Sequence, residues 1–307
     1  MWHTGIADQL FRLRIETGEG ASVPKTAAVD LGTLRPRSVF DRVMIDDAVR
    51  ALPRSDALGR FPLTGRFLMG RGRERLSIEE HRILEDAVQM VKDFPARQHL
   101  VRRGERLEQS MLLVDGYITR YMDDREGYRQ LVSVHVPGDF VDLHGFPTGR
   151  LDHDIGTLGP VKVALYDHQT LTAITDRHPH LTRVLWFSTL LDAAMHREWI
   201  FRLGRLGADG RLAHFFCELN ARLTMVGLAQ AGRFELPLTQ PDLAEACGLT
   251  GVHVNRVLRD LRERNLLVFR NGHVEILDLT GLAAVAEFES DYLYSDMGNW
   301  ATAVPQV

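Results

Sequence analysis

Cysteine is scarce in this chain of 307 residues, which has only Cys217 and Cys247. Two cysteines cannot build the disulfide framework of a small secreted domain, and here they form neither a CxxC motif nor a four-thiolate metal site. The sequence also lacks any run of 18 or more apolar residues, and its start, MWHTGIADQL, has no basic segment followed by an apolar one. We therefore expect a reduced, cytoplasmic protein that neither crosses a membrane nor is secreted.

Positive charge is also scarce overall, since the net charge is −4. That balance argues against a nucleic-acid partner until the charge is mapped along the chain. Residues 251–270 contain five arginines and two acids, so this segment carries +3 and the remainder carries −7. A basic element on an acidic body predicts a protein that contacts phosphates with one end only.

The composition, with 45% hydrophobic and 25% charged residues, excludes a wholly disordered or collagen-like chain. The length suggests about two domains at roughly 150 residues each. Residues 1–60 differ from the rest, because glycines and prolines interrupt two short helical stretches at 6–15 and 39–52. We interpret them as an N-terminal extension, either packed on the body or acting as a regulatory or dimer-contacting element.

The segment 61–178 predicts a β-domain. It opens with a helix over 76–94, in which Ser77 and Glu80 form a capping box. After Pro95, short runs rich in β-branched and aromatic residues alternate with turn signals: HLV, MLLV, YITRYM, YRQLVSVHV, IGTL and VKVALYD. Many short strands at this spacing are typical of a β-sandwich, jelly roll or barrel.

A long helix is predicted over 180–203, within a segment assigned to 179–207. Its apolar residues cover two faces, and a helix that is apolar on two sides must be buried twice. One face can cover the β-domain, and the other fits the same helix of a second subunit, although burial within a monomer is the alternative. We assign the dimer contacts to Leu181, Val184, Leu191, Met195 and Trp199; the second face has Trp186, Phe187, Leu190, Ala194, Ile200 and Phe201.

A further helix over 208–226 opens the last predicted domain, 208–295, and 296–307 form a tail. Cys217 lies among apolar residues of that helix, which indicates a packing thiol. Thr239 and Asp242 mark the start of another helix, Gly248 allows a sharp turn, and Thr250 can cap the next helix. On that helix the apolar spacing predicts a buried stripe of Val254, Val257, Leu258 and Leu261.

Two helices joined by a glycine turn, with the second one basic and exposed, describe a DNA-reading helix-turn-helix. A hairpin follows over 266–277, since Asn271-Gly272 suits a type I′ turn. The unit is therefore predicted to be a winged helix-turn-helix in an α+β protein. The predicted DNA contacts are Thr239, Gln240, Thr250, Val252, His253, Asn255, Arg256, Arg259 and Arg270.

The run LTQPDLAEACGLTGVHVNRVLRDLRERNLL, together with VRRGER, VDGYI and VPGDF, resembles the Crp/Fnr transcription regulators over residues 75–292. The resemblance implies a jelly-roll effector domain of the cyclic-nucleotide-binding fold and a homodimer on a palindromic promoter site, with RNA polymerase as a further partner. It also implies that Arg256 reads a guanine. The Arg-Glu pair of the cyclic-AMP receptors is replaced here by Gly251 and Val252, so we expect a different target sequence.

The effector segment departs from the family pattern. Leu143 replaces the glutamate that binds ribose in cyclic-nucleotide receptors, and His153-Asp154 replace the Arg-Ser pair that binds the cyclic phosphate. Because these replacements remove both anchors, we do not expect cyclic AMP to bind. The iron–sulfur branch of the family needs cysteines near the N-terminus, and none precedes Cys217. The residues assigned to the effector pocket are Asp142, Leu143, His144, His153 and Asp154.

Thirteen histidines raise the alternative of a histidine-ligated haem or metal sensor, but no tight HxH motif with a following Glu occurs in the strands. We therefore expect most histidines to be hydrogen-bonded or solvent-facing, with no cofactor and no metal. A jelly-roll enzyme and a cyclic-nucleotide module with another output are the competing classes. No nucleophile–base pair, phosphate loop or HExxH motif supports an enzyme, and the last class needs no wing. The sequence predicts a DNA-binding regulator, either gated by another effector or constitutive.

Overall fold

The computed structural model describes residues 54–72 and 76–295. The helical stretches predicted at 6–15 and 39–52 and the tail 296–307 lie outside the described residues. Of the predicted extension, helix α1 (Arg54–Arg60) is described, and its Ala57 is buried. The packed fold therefore starts before residue 61.

The β-domain contains two antiparallel sheets, as the sequence predicts. One has the order β1-β7-β3 and the other β2-β6-β4-β5. An apolar cluster includes residues of both sheets, such as Leu113 and Ile118, so the sheets face each other across a common core. The strands are β1 (Met90–Phe94), β2 (His99–Val101), β3 (Gln109–Asp115), β4 (Ile118–Asp123), β5 (Arg129–His135), β6 (Asp154–Thr157) and β7 (Val161–Asp167).

The first predicted helix is shorter than the sequence suggests. Helix α2 spans Ile78–Asp86, and its capping box is confirmed, because Ser77 Oγ accepts from Glu80 N at 3.1 Å and Glu80 Oε2 accepts from Ser77 N at 2.9 Å. The prediction of a helix to residue 94 is wrong, since Met90–Phe94 form β1 and pair with β7. The helical spacing of apolar residues continued past the true end, and hydrogen bonding to a distant strand overrode it.

Helices separate the β-domain from the C-terminal unit. Helix α3 (Gly145–Thr148) lies between β5 and β6, and α4 (His168–Arg177) follows β7. Helix α5 (Pro179–Arg205) has 27 residues, so it is about 40 Å long at about 1.5 Å per residue. It leads into α6 (Ala208–Met225), which is buried along almost its whole length. Among the described residues, no helix combines the length and apolar composition needed to span a membrane.

The C-terminal unit is a winged helix-turn-helix. It contains β8 (Arg233–Glu235), α7 (Gln240–Cys247), α8 (Gly251–Glu263), β9 (Leu267–Arg270), β10 (His273–Ile276), α9 (Leu279–Ala286) and a 3₁₀ turn (Asp291–Leu293). The predicted hairpin is present, and β8 extends it to a sheet of order β8-β10-β9. The sequence missed β8 because three residues are too short for a period-two pattern. Helix α6 forms the centre of this core, with Leu212 and Phe216 fully buried.

Candidate DNA-binding surface and effector cavity

The first helix of the motif is fixed by its cap. Thr239 Oγ1 donates to Asp242 Oδ2 at 2.7 Å, and the same carboxylate oxygen accepts from Thr239 N at 2.6 Å. Both donors of Thr239 are therefore occupied by the capping box, which fixes where α7 starts. Gln240, at the first position of α7, is exposed beside it. The predicted DNA contacts of these two residues stay a prediction.

The turn between the helices has the predicted chemistry. Gly248 has φ +60°, in the left-handed region that favours glycine, and it ends α7. Thr250 then caps α8, because its Oγ1 accepts from His253 N at 3.3 Å. Three residues between the helices hold α8 in the orientation of a recognition helix.

Helix α8 has one buried face and one exposed face. Val254, Val257 and Leu261 are buried, and Leu258 is half-buried. Val252 is 78% exposed, and the other outward-facing residues are His253, Asn255, Arg256 and Arg259. Among the described residues, neither Arg256 nor Arg259 has an ion-pair or hydrogen-bond partner for its guanidinium. These side chains are free to contact DNA.

The wing extends the same exposed surface. Asn271 has φ +50° and Gly272 has φ +77°, so both turn residues lie in the left-handed region that a type I′ turn requires. Arg270, immediately before the turn, is exposed. Arg264 differs from these arginines, because it lies 3.1 Å from Asp260 and 4.0 Å from Asp209. Its charge is partly neutralised within the protein.

Helix α7 is held against the β-domain by polar contacts that the sequence did not reveal. Arg97 makes a bidentate pair with Asp242, with nitrogen–oxygen distances of 2.5 and 2.7 Å. Gln130 of β5 donates to the backbone oxygen of Glu245, and Arg202 donates to that of Ala246 at 2.9 Å. The first two contacts join residues 145 and 115 positions apart, so no local pattern signals them.

A buried ionic cluster joins α6 to the β-domain. Arg222 Nη2 lies 2.5 Å from Asp139 Oδ2, and its Nη1 lies 3.1 Å from Glu218 Oε1. Arg71 Nη1 lies 3.8 Å from Asp139 Oδ1, and His135 Nδ1 lies 3.7 Å from Asp139 Oδ2. Burial favours a higher pKa for Asp139, but the charge of Arg222, the His135 hydrogen bond and Arg71 together hold it well below its usual range. The cluster therefore keeps a carboxylate ionised in the interior.

The five side chains of α5 predicted to form the dimer interface are covered by their own chain. Its five assigned contacts, Leu181, Val184, Leu191, Met195 and Trp199, are all buried within the chain itself. The first three pack in a cluster with residues of the β-domain, and the last two pack in the core of the C-terminal unit. Side chains already covered by their own chain cannot form a second interface without opening that core.

A different set of α5 side chains faces outward. Trp186 is 64% exposed and Ile200 is 72% exposed, and Leu190 and Phe201 are also exposed. Positions 186, 190, 193, 197 and 200 follow one another at intervals of three or four, so they form one stripe along the helix, with Ala193 and Arg197 between its apolar ends. Large apolar side chains aligned on an exposed helix mark an interaction surface.

A cavity of about 480 Å³ lies between the β-domain and α5. It contains two of the five predicted effector residues, His144 and His153. The lining residues are Arg120, Met122, Val132, His144, Asp152, His153, Thr189, Asp192, Ala193, His196, Trp199, Ile200 and Leu203. The pattern-based prediction missed the α5 side of this wall and Asp152, whose neighbour His153 could have pointed to it.

The other three predicted effector residues do not line this cavity. Asp142 is fully buried, and its Oδ1 accepts from Met111 N at 2.7 Å. Leu143 packs in the apolar core, and Asp154 accepts from Arg103 N at 3.2 Å at the start of β6. The sequence did not reveal which side chains of this segment turn toward the cavity, because the loop leaves the alternating pattern of a strand.

Two neutral imidazoles face a paired arginine in this cavity. Burial, followed by the charge of Arg120, lowers the pKa of His144 to about 3 and also lowers that of His153. Arg120 is itself buried, 2.6 Å from Asp192 Oδ2, and it donates to the backbone oxygen of Val141 at 2.7 Å. The cavity therefore offers unprotonated nitrogen atoms and carboxylates, while its one arginine is occupied by protein partners.

Comparison with known proteins agrees with this architecture. Residues 210–285 match the family described as the Crp-like helix-turn-helix domain. The transcriptional activator protein FnrL of Cereibacter sphaeroides is 27% identical over 71% of this chain and 88% of its own length. The transcriptional activator protein FnrA of Stutzerimonas stutzeri is 25% identical over 69% of this chain and 86% of its own length. These matches support a transcription regulator of the Crp/Fnr family.

Solved structures show the same fold. FixK2 from Bradyrhizobium japonicum has a TM-score of 0.59 at 23% identity, covering 64% of this chain and 96% of that one. The c-di-GMP responsive global regulator CLP from Xanthomonas campestris has a TM-score of 0.52 at 16% identity, covering 64% and 98%. At these identities the likeness establishes the Crp/Fnr architecture, with its β-domain, long helix and winged helix-turn-helix.

The cysteines of this Crp/Fnr chain are packing residues. Cys217 and Cys247 are both fully buried in the C-terminal core. Burial raises the pKa of both thiols, that of Cys247 to about 11, which disfavours the thiolate needed for metal ligation or redox chemistry. The prediction that Cys217 packs in a core agrees with this environment.

Proposed function

We propose that this protein is a homodimeric regulator that binds an inverted-repeat promoter site and has no enzymatic activity. The observation that carries the proposal is the exposed surface of α8 and the wing, where Arg256, Arg259 and Arg270 have no ion-pair or hydrogen-bond partner for their guanidinium groups in the part of the chain that the structure describes. Helix α8 has the size to enter the major groove of DNA. In a two-fold symmetric dimer, the two copies of α8 would read half-sites about 34 Å apart. We assign base reading to Arg256 and phosphate contact to Arg270.

The exposed stripe of α5 supports the dimer. An isolated chain that exposes Trp186 and Ile200 on one helix leaves a large apolar surface in water, and a second copy of the same helix would cover it. Such an interface is self-complementary under two-fold symmetry. It also places the two α8 helices on the same assembly, as an inverted repeat demands.

Two measurements test the proposal. Light scattering gives the oligomeric state, and selection from random DNA duplexes gives the preferred binding sequence. We expect a dimer, and a selected sequence with two-fold symmetry. Ile200→Glu should give monomers and lose specific DNA binding, whereas Ser188→Glu, at a half-buried position of the same helix away from the stripe, should keep both. A monomeric wild-type protein, or a selected sequence without symmetry, would contradict the proposal.

The cavity beside α5 supports an effector other than cyclic AMP. Leu143 packs in the core, and the charge of Arg120 is paired with Asp192 at 2.6 Å. A cyclic phosphate placed there would meet the carboxylates of Asp152 and Asp192. We expect calorimetry with cyclic AMP to show no saturable binding.

We further propose that the protein acts on promoters in the cytoplasm, beside RNA polymerase.

A further inference from the structure

Three side chains of metal-ligand type meet in the effector cavity. His144 precedes α3, and Asp152 and His153 lie in the loop that enters β6. One potential ligand atom from each of the three lies within 4.8 Å of the others, and the two imidazole rings are 5.2 Å apart. Two imidazoles and one carboxylate are a donor set that divalent first-row transition metals favour.

The hydrogen bonding of His153 is a second, independent observation that points to a bound ion. It is only 7% exposed, and its Nδ1 lies 2.8 Å from Asp152 Oδ1. Because a carboxylate only accepts, Nδ1 carries the proton and Nε2 carries the lone pair. Among the described residues, Nε2 has no hydrogen-bond partner although it is buried. The Nε2 lone pair of His153 is therefore buried at the cavity and available to an ion.

We propose that this cavity binds one divalent transition-metal ion, of the zinc or iron(II) type, through His144, His153 and Asp152. The site itself stands on this geometry. The further step, in which the bound ion changes promoter affinity, rests on the proposed function.

Two carboxylates and one guanidinium line the cavity. Asp152 and Asp192 each contribute a negative charge, and Arg120 contributes the opposing positive charge that Asp192 already pairs. The carboxylate of Asp152 is 89% exposed, so it has room to leave Nδ1 of His153 and turn toward an ion. An anionic occupant would meet this carboxylate, whereas a cation would be attracted by it.

The site adjoins the helix that we assign to dimerisation. His196 of α5 lines the same cavity, and its Nδ1 lies 3.0 Å from the backbone oxygen of Asp192. A backbone carbonyl only accepts, so Nδ1 donates and the Nε2 of His196 keeps its lone pair. A further imidazole therefore lines the cavity from α5, outside the group of three ligands. Occupancy would link the loop before β6 to the dimer helix.

The test is calorimetry of the full chain, freed of metal by a chelator and titrated with Zn²⁺, with Co²⁺ absorption as a spectroscopic check of imidazole ligation. We expect one ion per chain with micromolar affinity or better. Mg²⁺ should not bind in this range, because it favours oxygen ligands. His144→Ala and His153→Ala should each weaken Zn²⁺ binding at least ~10-fold.

Asp152→Asn guards against a folding artefact, because the exposed side chain can be changed without disturbing the core. It should weaken binding with an unchanged melting temperature. His273→Gln, on the exposed wing far along the chain, is the matched histidine control and should bind as the wild type does. Absence of saturable Zn²⁺ and Co²⁺ binding, or binding that none of the three site variants weakens, would overturn the site.

Gel shifts on the selected operator, with chelator or with Zn²⁺, separate the two claims. An operator affinity that changes at least several-fold with Zn²⁺, and only when His144 and His153 are present, supports the effector role. Identical affinity in both conditions overturns that role alone. A protein that binds Zn²⁺ but no DNA would retain the metal site and overturn the proposed function instead.

Discussion

Arginine serves opposite ends in the two halves of this protein. At the joint between α6 and the β-domain, Arg71 and Arg222 are buried and surrounded by carboxylates, and in the cavity wall Arg120 is paired with Asp192. On α8, Arg256 and Arg259 are exposed and have no partner among the described residues. We propose that the surroundings of an arginine, not its residue type, decide whether it serves stability or recognition in this protein.

The largest expected effect is on stability. Arg222→Ala would leave Asp139 and Glu218 buried without their main counter-charge, so the free energy of unfolding should fall by about 3–5 kcal/mol. Urea unfolding followed by circular dichroism measures it. Arg262→Ala, exposed on α8, is the control and should change stability by less than about 0.5 kcal/mol. Equal losses in the free energy of unfolding for Arg222→Ala and Arg262→Ala would contradict the prediction.

The same cluster should make stability depend on pH through His135. Burial, together with Arg120, lowers the pKa of His135 from 6.5 to about 4. The unfolded chain therefore binds a proton that the folded one refuses, so this stability is present above pH 6.5 and is lost as the pH falls toward 4. The loss amounts to about 3 kcal/mol for a shift of this size.

Unfolding curves at several pH values between these limits provide the measurement. His135→Gln removes the titrating group, so its stability should fall less steeply with acid than that of the wild type. Burial raises the pKa of Asp139 and Asp192, which face the same histidine, but Arg222 and Arg120 hold these pKa values below their usual range. Both carboxyls therefore stay ionised between pH 4 and 6.5. Parallel curves for the two proteins would contradict the prediction.

On the exposed side, Arg256→Ala should cost about 1–3 kcal/mol of specific binding and relax the preference at one base pair per half-site. The physical reason is the loss of a bidentate contact to guanine. Gel shifts over single-base variants of the operator measure it, with Arg262→Ala as the control on another side of α8. A variant that keeps the wild-type base preference would show that Arg256 does not read a base.

The smallest expected effect concerns the wing. Arg270→Ala should weaken binding to all sequences alike, because one phosphate contact is lost in each half-site. The slope of log affinity against log salt concentration should therefore fall by about one unit per half-site. Titrations at several salt concentrations on specific and random duplexes provide the measurement. A change in base preference would instead assign Arg270 to base reading.

Prediction from sequence succeeded where the determinants are local. The caps at Ser77, Thr239 and Thr250, the left-handed Gly248 and the Asn271-Gly272 turn are read from residues within four positions of one another, and the structure contains them all. The strands of the β-domain also follow from their alternation and turns. These signals suffice for the family architecture and for which side of α8 is exposed.

Prediction failed where partners are distant along the chain. The stripe of α5 that is buried depends on which neighbours cover it, so apolar residues such as Leu191 and Ile200 look alike in sequence yet differ fully in exposure. The helix predicted to residue 94 lost its end to pairing with β7. Asp152 was not predicted as a cavity residue, because an exposed acidic residue in a loop belongs to no periodic sequence pattern. Only the folded chain brings it close to His144.

The contacts of α7 with Arg97 and Gln130 have a mechanical consequence. Helix α7 is hydrogen-bonded to the β-domain near its start, through Asp242, and near its end, through Glu245. Rotation of α7 relative to the β-domain would break these contacts. The β-domain and α7 are therefore held together as one body in this structure. If the cavity binds an effector, as we propose, a movement of the β-domain would carry α7 with it and would also move α8 through the three-residue turn that joins the two helices.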